Sequence, residues 1–313
     1  MRRCFVLLAL IVIALSYTIT VHSQVPGSAV NHYQNGLKKT EKGDLDGAIE
    51  DYTRAIVLSS RLDGGKRSVN TFAGVNEETS EITVVSPFTA DALNNRAVAK
   101  YRKGDYEGAI VDLDRALRIR PGLAPAYLNR AAARRASGDI RFALADLDRA
   151  LSLDKDSYEG YTNRGSVRLD LGDIDGALAD LNHAVKMNPK LPDAFYQRGY
   201  VEIAQKDYDG ALADFERTIK LAPEMALAYH GRGTAYMYQG KMEQAVADFT
   251  EALNRNPDIA WAYFNRGLSL LYLGDEVNAK KDIDECIRLR PELKGDLMRR
   301  ASIARDLRER RKN

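Results

Sequence analysis

The sequence predicts an all-α fold, an array of helix pairs stacked side by side, and three observations carry that prediction. Segments starting at Ala90, Ala124, Tyr158, Pro192, Ala226 and Ala260 follow one another every 34 residues without a gap, and the sixth ends at Leu293. Their twentieth position is always alanine (Ala109, Ala143, Ala177, Ala211, Ala245, Ala279), and their eighth is alanine or glycine (Ala97, Ala131, Gly165, Gly199, Gly233, Gly267). Their thirty-second position is proline in all but one, where Lys155 stands. Self-similarity at this period marks an architecture in which each unit buries its apolar face only against its neighbours.

From the N-terminus, Met1-Arg2-Arg3 precedes twelve uncharged residues, Cys4 to Leu15, and small residues at Val21 and Ser23 flank a cleavage point before Gln24. Residues 1–23 read as a secretory signal. The alternative is an uncleaved anchor over residues 4–21, long enough to just span a bilayer. Residues 24–28 are a linker. Residues 29–62 form a first repeat, with Gly36, Gly43, Ala48, Tyr52 and Ala55 in register. Residues 63–89 interrupt the array with Gly64-Gly65, Ser/Thr/Asn clusters and a strand-like Ile82-Thr83-Val84-Val85. They are read as a disordered surface connection, with a recognition loop or hairpin beside the groove as the alternative.

Residues 90–293 hold the six contiguous repeats. In Ala226 to Gln239 apolar and small residues recur at three and four spacing until Gly240, and Met242 to Leu253 repeats the pattern before Asn256-Pro257. Each repeat is therefore two helices, brought close by the small residues and ended by proline, which cannot continue the hydrogen-bond ladder. In residues 294–313, Leu297, Ala301, Ala304 and Leu307 lie on one helical face among eight basic and three acidic residues, as a capping helix requires.

Of the 313 residues 45% are hydrophobic and 29% charged, the composition of a folded chain. The 46 basic against 44 acidic residues argue against a nucleic-acid-binding protein. Two cysteines, Cys4 and Cys286, and four scattered histidines make neither a disulfide framework nor a metal site. The repeats contain no nucleophile elbow, phosphate loop or histidine–carboxylate cluster, and the 63–89 and 294–313 segments are too short for a catalytic domain. The chain is read as no enzyme, without cofactor or metal.

Arginine occupies the seventh position of all six contiguous repeats (Arg96, Arg130, Arg164, Arg198, Arg232, Arg266), and aspartate the twenty-third (Asp112, Asp146, Asp180, Asp214, Asp248, Asp282). Identical recurrence favours a structural ion-pair ladder over an anion-binding track, because a binding face varies from repeat to repeat. Cys286 stands where alanine is usual and is read as a small buried residue.

The spacing of aromatic, Gly/Ala, Ala and Pro positions resembles the tetratricopeptide-repeat family. That resemblance implies a right-handed solenoid of helix pairs with a concave groove lined by positions 2, 5, 9, 12 and 13 of the first helices. In the later repeats those slots hold Tyr196, Tyr200, His230, Met237, Tyr238, Trp261, Phe264 and Tyr272, an aromatic set suited to binding hot spots. Earlier slots hold Asp91, Asn94, Tyr101 and Arg102. A clamp for carboxylate tails fits poorly: Asn95, Asn129, Asn163 and Asn265 match its asparagines, but Asn94, Val98 and Leu128 stand where lysines belong. The expectation is a non-catalytic scaffold binding a protein or peptide partner in a periplasmic or secreted compartment. It touches no nucleic acid, and meets the membrane only through an uncleaved N-terminal segment. The alternative is a regulatory or assembly subunit of an envelope enzyme.

Overall fold

The computed structural model describes residues 25–60, 73–75, 82–84 and 87–312. The expected signal or anchor, and most of the 63–89 insertion, lie outside them. The first repeat is the helix pair α1 (Gly27–Glu41) and α2 (Leu45–Ser60). Strands β1 (Ala73–Val75) and β2 (Ile82–Val84) then pair antiparallel, with Ala73 opposite Val84 and Val75 opposite Ile82. Five pairs follow: α3 (Pro87–Arg102) with α4 (Tyr106–Ile119), α5 (Ala124–Ser137) with α6 (Ile140–Leu153), α7 (Tyr158–Leu171) with α8 (Ile174–Met187), α9 (Pro192–Gln205) with α10 (Tyr208–Leu221), and α11 (Ala226–Tyr238) with α12 (Met242–Arg255). The last pair is α13 (Ala260–Leu273) and α14 (Glu276–Leu289), and α15 (Lys294–Lys312) ends the chain. The array divides into two compact units, the first ending at Val167 and the second beginning at Arg168. Among the described residues no helix is long and apolar enough to cross a membrane.

The turn inside each repeat follows from two local devices. Position 15 is a left-handed glycine (Gly43, Gly104, Gly138, Gly172, Gly240, Gly274), and where Lys206 replaces it the backbone keeps the same conformation, at φ 65°. An L side chain there works against sterics that glycine escapes. The next residue is usually aspartate, and the carboxylates of Asp105, Asp173, Asp207 and Asp275 accept a backbone N–H three residues on, satisfying an orphan donor of the second helix.

The core of each pair is small-against-large. The alanine at position 20 is fully buried in every repeat, and Leu113, Leu147, Leu181, Phe215 and Phe249 at position 24 are covered beside it. A Cβ on Gly199 would come within 2.9 Å of the Phe215 ring, so that ring occupies the space the missing side chain leaves. Cys286 is buried with Phe264, Leu271 and Ile283. The terminal helix α15 packs on α13 through Leu297, Ala301 and Ala304. Leu307, expected on the same buried face, is instead 49% exposed and turns toward a cavity at this end of the chain.

Candidate binding surface

Arg96, Arg130, Arg198, Arg232 and Arg266 each meet the expected aspartate with a two-pronged contact. Arg96 donates to Asp112 through Nε and Nη2 (2.8 and 2.6 Å), and Arg130 to Asp146 in the same way (2.9 and 2.5 Å). In the second unit Arg198 donates to Asp214 (2.6 and 2.7 Å), Arg232 to Asp248 and Arg266 to Asp282 (2.8 Å for each of the four bonds). Within the first unit Arg164 donates to Asp148, and within the second Arg168 donates to Asp180.

The remaining guanidinium nitrogen often crosses to the preceding repeat, from Arg96 to Thr53, Arg130 to Asp114, Arg198 to Asn182 and Arg266 to Thr250. Arg130, Arg164, Arg198, Arg232 and Arg266 also lie over the aromatic ring three residues before them, as Arg130 does over Tyr127 at 5.4 Å and Arg266 over Tyr263 at 5.6 Å; Leu93 stands in that place before Arg96. The seventh position thus ties a repeat to itself and to its predecessor. These inter-repeat bonds and stacked rings were not read from the sequence, although the aromatic at position 4 recurs as Tyr127, Tyr161, Phe195, Tyr229 and Tyr263.

Position 11 adds a second partner to the same aspartate in the early repeats. Lys39 and His32 hold Asp51 in the first repeat, where Asn35 stands in the arginine slot; Lys100 joins Arg96 on Asp112; and Arg134 joins Arg130 on Asp146. Burial works to raise the Asp51 carboxyl, but the bonds from Lys39 and His32 prevail and keep it below the ordinary carboxylate range. In the repeat starting at Pro192 this slot is Glu202. Burial, reinforced by the Asp214 carboxylate beside it, pushes Glu202 up to about 8.

The eight aromatic and apolar residues expected in the groove all lie in the second unit, and they separate by position. Tyr196, His230 and Phe264, all at position 5, are buried, being 3%, 8% and 0% exposed. This corrects their assignment as partner-contacting residues: large side chains at position 5 fill the space against neighbouring helices. The Tyr196 ring packs edge-on against Tyr200 (5.1 Å) and Phe215 (6.0 Å). Phe264 lies against Trp261 (5.0 Å), with the Arg300 guanidinium of α15 over its ring.

His230 is held from both sides: its Nδ1 is 3.2 Å from the Tyr200 hydroxyl and its Nε2 is 3.2 Å from Asn265 Nδ2. Because Asn265 donates an N–H, the ring accepts at Nε2 and stays neutral; burial holds its pKa down at about 4. This link joins α9, α11 and α13. Asn265 stood out in the sequence only as a clamp candidate.

The other five remain at the surface. Tyr200, Met237, Trp261 and Tyr272 are half-buried and Tyr238 is 47% exposed, stacked on Tyr208 at 5.7 Å and 11° between planes. Among the described residues the buried Trp261 indole Nε1 has no hydrogen-bond partner. Successive first helices thus carry an uneven aromatic and methionine surface, with fixed rings beneath and accessible ones above.

Profiles described as tetratricopeptide repeat match residues 88–163, 162–226, 226–259 and 262–293. The chain belongs to the tetratricopeptide-repeat family. Among solved structures it is similar to a tetratricopeptide-repeat protein of Parabacteroides merdae ATCC 43184, at TM-score 0.65 and 21% identity, over 88% of this chain and 100% of that one. PilW, a type IV pilus biogenesis factor, matches at TM-score 0.58 and 21% identity over 64% and 94%. A thermophilic tetratricopeptide-repeat protein of Thermus thermophilus matches at 0.53 and 21% over 58% and 99%. At these identities the likeness concerns the fold. Comparison with curated proteins yields no match.

Proposed function

We propose that this tetratricopeptide-repeat chain is a non-catalytic scaffold that docks a peptide or partner-protein segment on the first-helix face of its last three repeats. The family and the fold support a protein-interaction scaffold, since stacked repeats present an extended surface and each first helix contributes to it. The observation that carries the placement is the run of Tyr200, Met237, Tyr238, Trp261 and Tyr272 along α9, α11 and α13, all with accessible surface. Aromatic side chains provide contact area at low entropic cost and dominate binding hot spots. The basic start and short apolar run of residues 1–15 support work in an exported compartment.

Affinity capture with the mature chain and with Tyr238→Ala, followed by mass spectrometry, tests the reading. A partner captured by the wild type and lost by the variant at unchanged helical content is expected. Equal capture by both contradicts the placement. Sequencing the N-terminus of the same preparation is expected to begin at Gln24, and persistence of Met1 in the membrane fraction contradicts a cleaved signal.

A further inference from the structure

At the C-terminal end of the second unit, α15 leaves a cavity of about 450 Å³ open against α11, α12 and α13. Its volume is that of sites that take ligand groups. Met237, Met242, Leu268 and Tyr272 form one wall, and Ile303 and Leu307 of α15 the other. Ile303 and Leu307 are 51% and 49% exposed, so the capping helix covers α13 with its first half and presents apolar side chains to solvent with its second.

The rim is basic. Arg299 and Arg300 both lean on the single carboxylate of Asp296, and Arg305 and Arg308 both lean on Glu276. Arg308 also meets Glu309, so three carboxylates answer these four guanidinium groups, and with eight basic against three acidic residues in 294–313 the helix keeps a positive excess beside an apolar slot that Arg299 and Arg300 line. Arg299 is well exposed, with 72% of its side chain in solvent. We infer that the slot between α13 and α15 docks an acidic, apolar segment of a partner protein, whose hydrophobic side chains enter the cavity while its carboxylates meet Arg299 and Arg300. This deepens the proposed scaffold reading and rests on it.

The observations favour a peptide over an anionic membrane. Met298, the third exposed large apolar residue of α15, lies five residues before Ile303, roughly 140° around the helix, so the two do not share a helix face that could lie on lipid. The slot is instead two-walled, which suits inserted side chains.

The test uses the full chain and an array of dodecapeptides combining Leu, Ile and Phe with Asp and Glu, or with Lys and Arg in the same positions. Fluorescence anisotropy should show the acidic series binding at least ten-fold more tightly than the basic one. The paired exposed-site variant Ile303→Glu, Leu307→Glu should weaken that binding at least ten-fold without changing the circular dichroism spectrum or Tm. Arg299→Glu should narrow the difference between the two series. Val111→Ala, exposed on α4 and outside both the cavity and the late first helices, should change acidic-peptide binding less than three-fold.

Equal binding of both series, no binding of either, or binding that survives Ile303→Glu, Leu307→Glu overturns the inference. Loss in Tyr238→Ala alone overturns it while leaving the scaffold reading intact. Sedimentation with phosphatidylserine vesicles, or concentration-dependent dimerisation abolished by the paired variant, in place of acidic-peptide binding, overturns it in favour of those occupants.

Discussion

The first three repeats and the last three share one backbone plan and use it differently. In the first unit position 11 is Lys39, Lys100 or Arg134, and each adds a bond to the aspartate at position 23. In the last three repeats that position is Glu202, Tyr236 or Leu270, and among the described residues Asp214, Asp248 and Asp282 rest on one arginine each. The early first helices carry Asp91, bonded to Arg120, and Asn94, bonded to Asn95 and Asn129; the late ones carry Tyr200, Tyr238, Trp261 and Tyr272. Electrostatic redundancy marks one region and apolar surface the other. A repeat fold can vary in this way because each repeat contacts only its neighbours, so a local change of chemistry leaves the array standing.

The comparison breaks first at the arginines. Arg198→Ala leaves the buried Asp214 carboxylate beside Glu202 without its cation, and removing one partner of a buried pair costs on the order of 3–5 kcal/mol. Arg96→Ala leaves Asp112 with Lys100 at 2.8 Å, so less than half that loss is expected. Thermal unfolding followed by circular dichroism should rank them in that order. An unchanged Tm for Arg198→Ala would sink the ladder, and equal losses would erase the difference between the regions.

Binding should divide the same way. Trp261→Ala or Tyr200→Ala is expected to weaken partner capture by about 2 kcal/mol, the size of a hot-spot truncation. Arg102→Ala in the early repeats should alter mainly the salt dependence, as a rim charge does. Titration of the captured partner at two ionic strengths checks both.

Glu202 gives the late region a pH dependence that Lys100 and Arg134 cannot give the early one. Its folded-state pKa, about 8, lies above the ordinary value of 4.5, so between these values the folded chain holds a proton that the unfolded chain has released. This stabilisation is complete below the unfolded value and is lost as pH rises through the folded one. Glu202→Gln should therefore unfold a few degrees higher than the wild type above pH 8 and nearly together with it below pH 4.5. A constant difference across that range would contradict the assignment. The smallest effect belongs to Lys206→Gly, which relieves the left-handed backbone and should raise stability by roughly 1 kcal/mol in the same thermal unfolding measurement.

Much of this fold is legible in the sequence because the 34-residue period acts through strong local devices. Glycine at position 15, aspartate at position 16 and proline at position 32 each set a boundary, and alanine at position 20 sets the approach of the two helices. The arginine–aspartate pairs are legible for the same reason, as two invariant positions sixteen residues apart. The proposed binding face was legible only in part. Tyr196, His230 and Phe264 are the residue types of a hot spot, and position 5 belongs to the groove by family resemblance, yet side chains of that size fill the space between adjacent helices. The α15 slot was hidden because Leu268, Met242 and Ile303 read as ordinary helix-face residues until three elements bring them together.

The central claim is that partners meet the late first helices. It is tested most directly by photo-cross-linking in the cells that express the chain, with benzoylphenylalanine placed at Tyr238 in one preparation and at Val111, exposed on α4, in another. The account predicts a partner adduct from position 238 and none from position 111. An adduct from position 111 alone, or from neither, would contradict it.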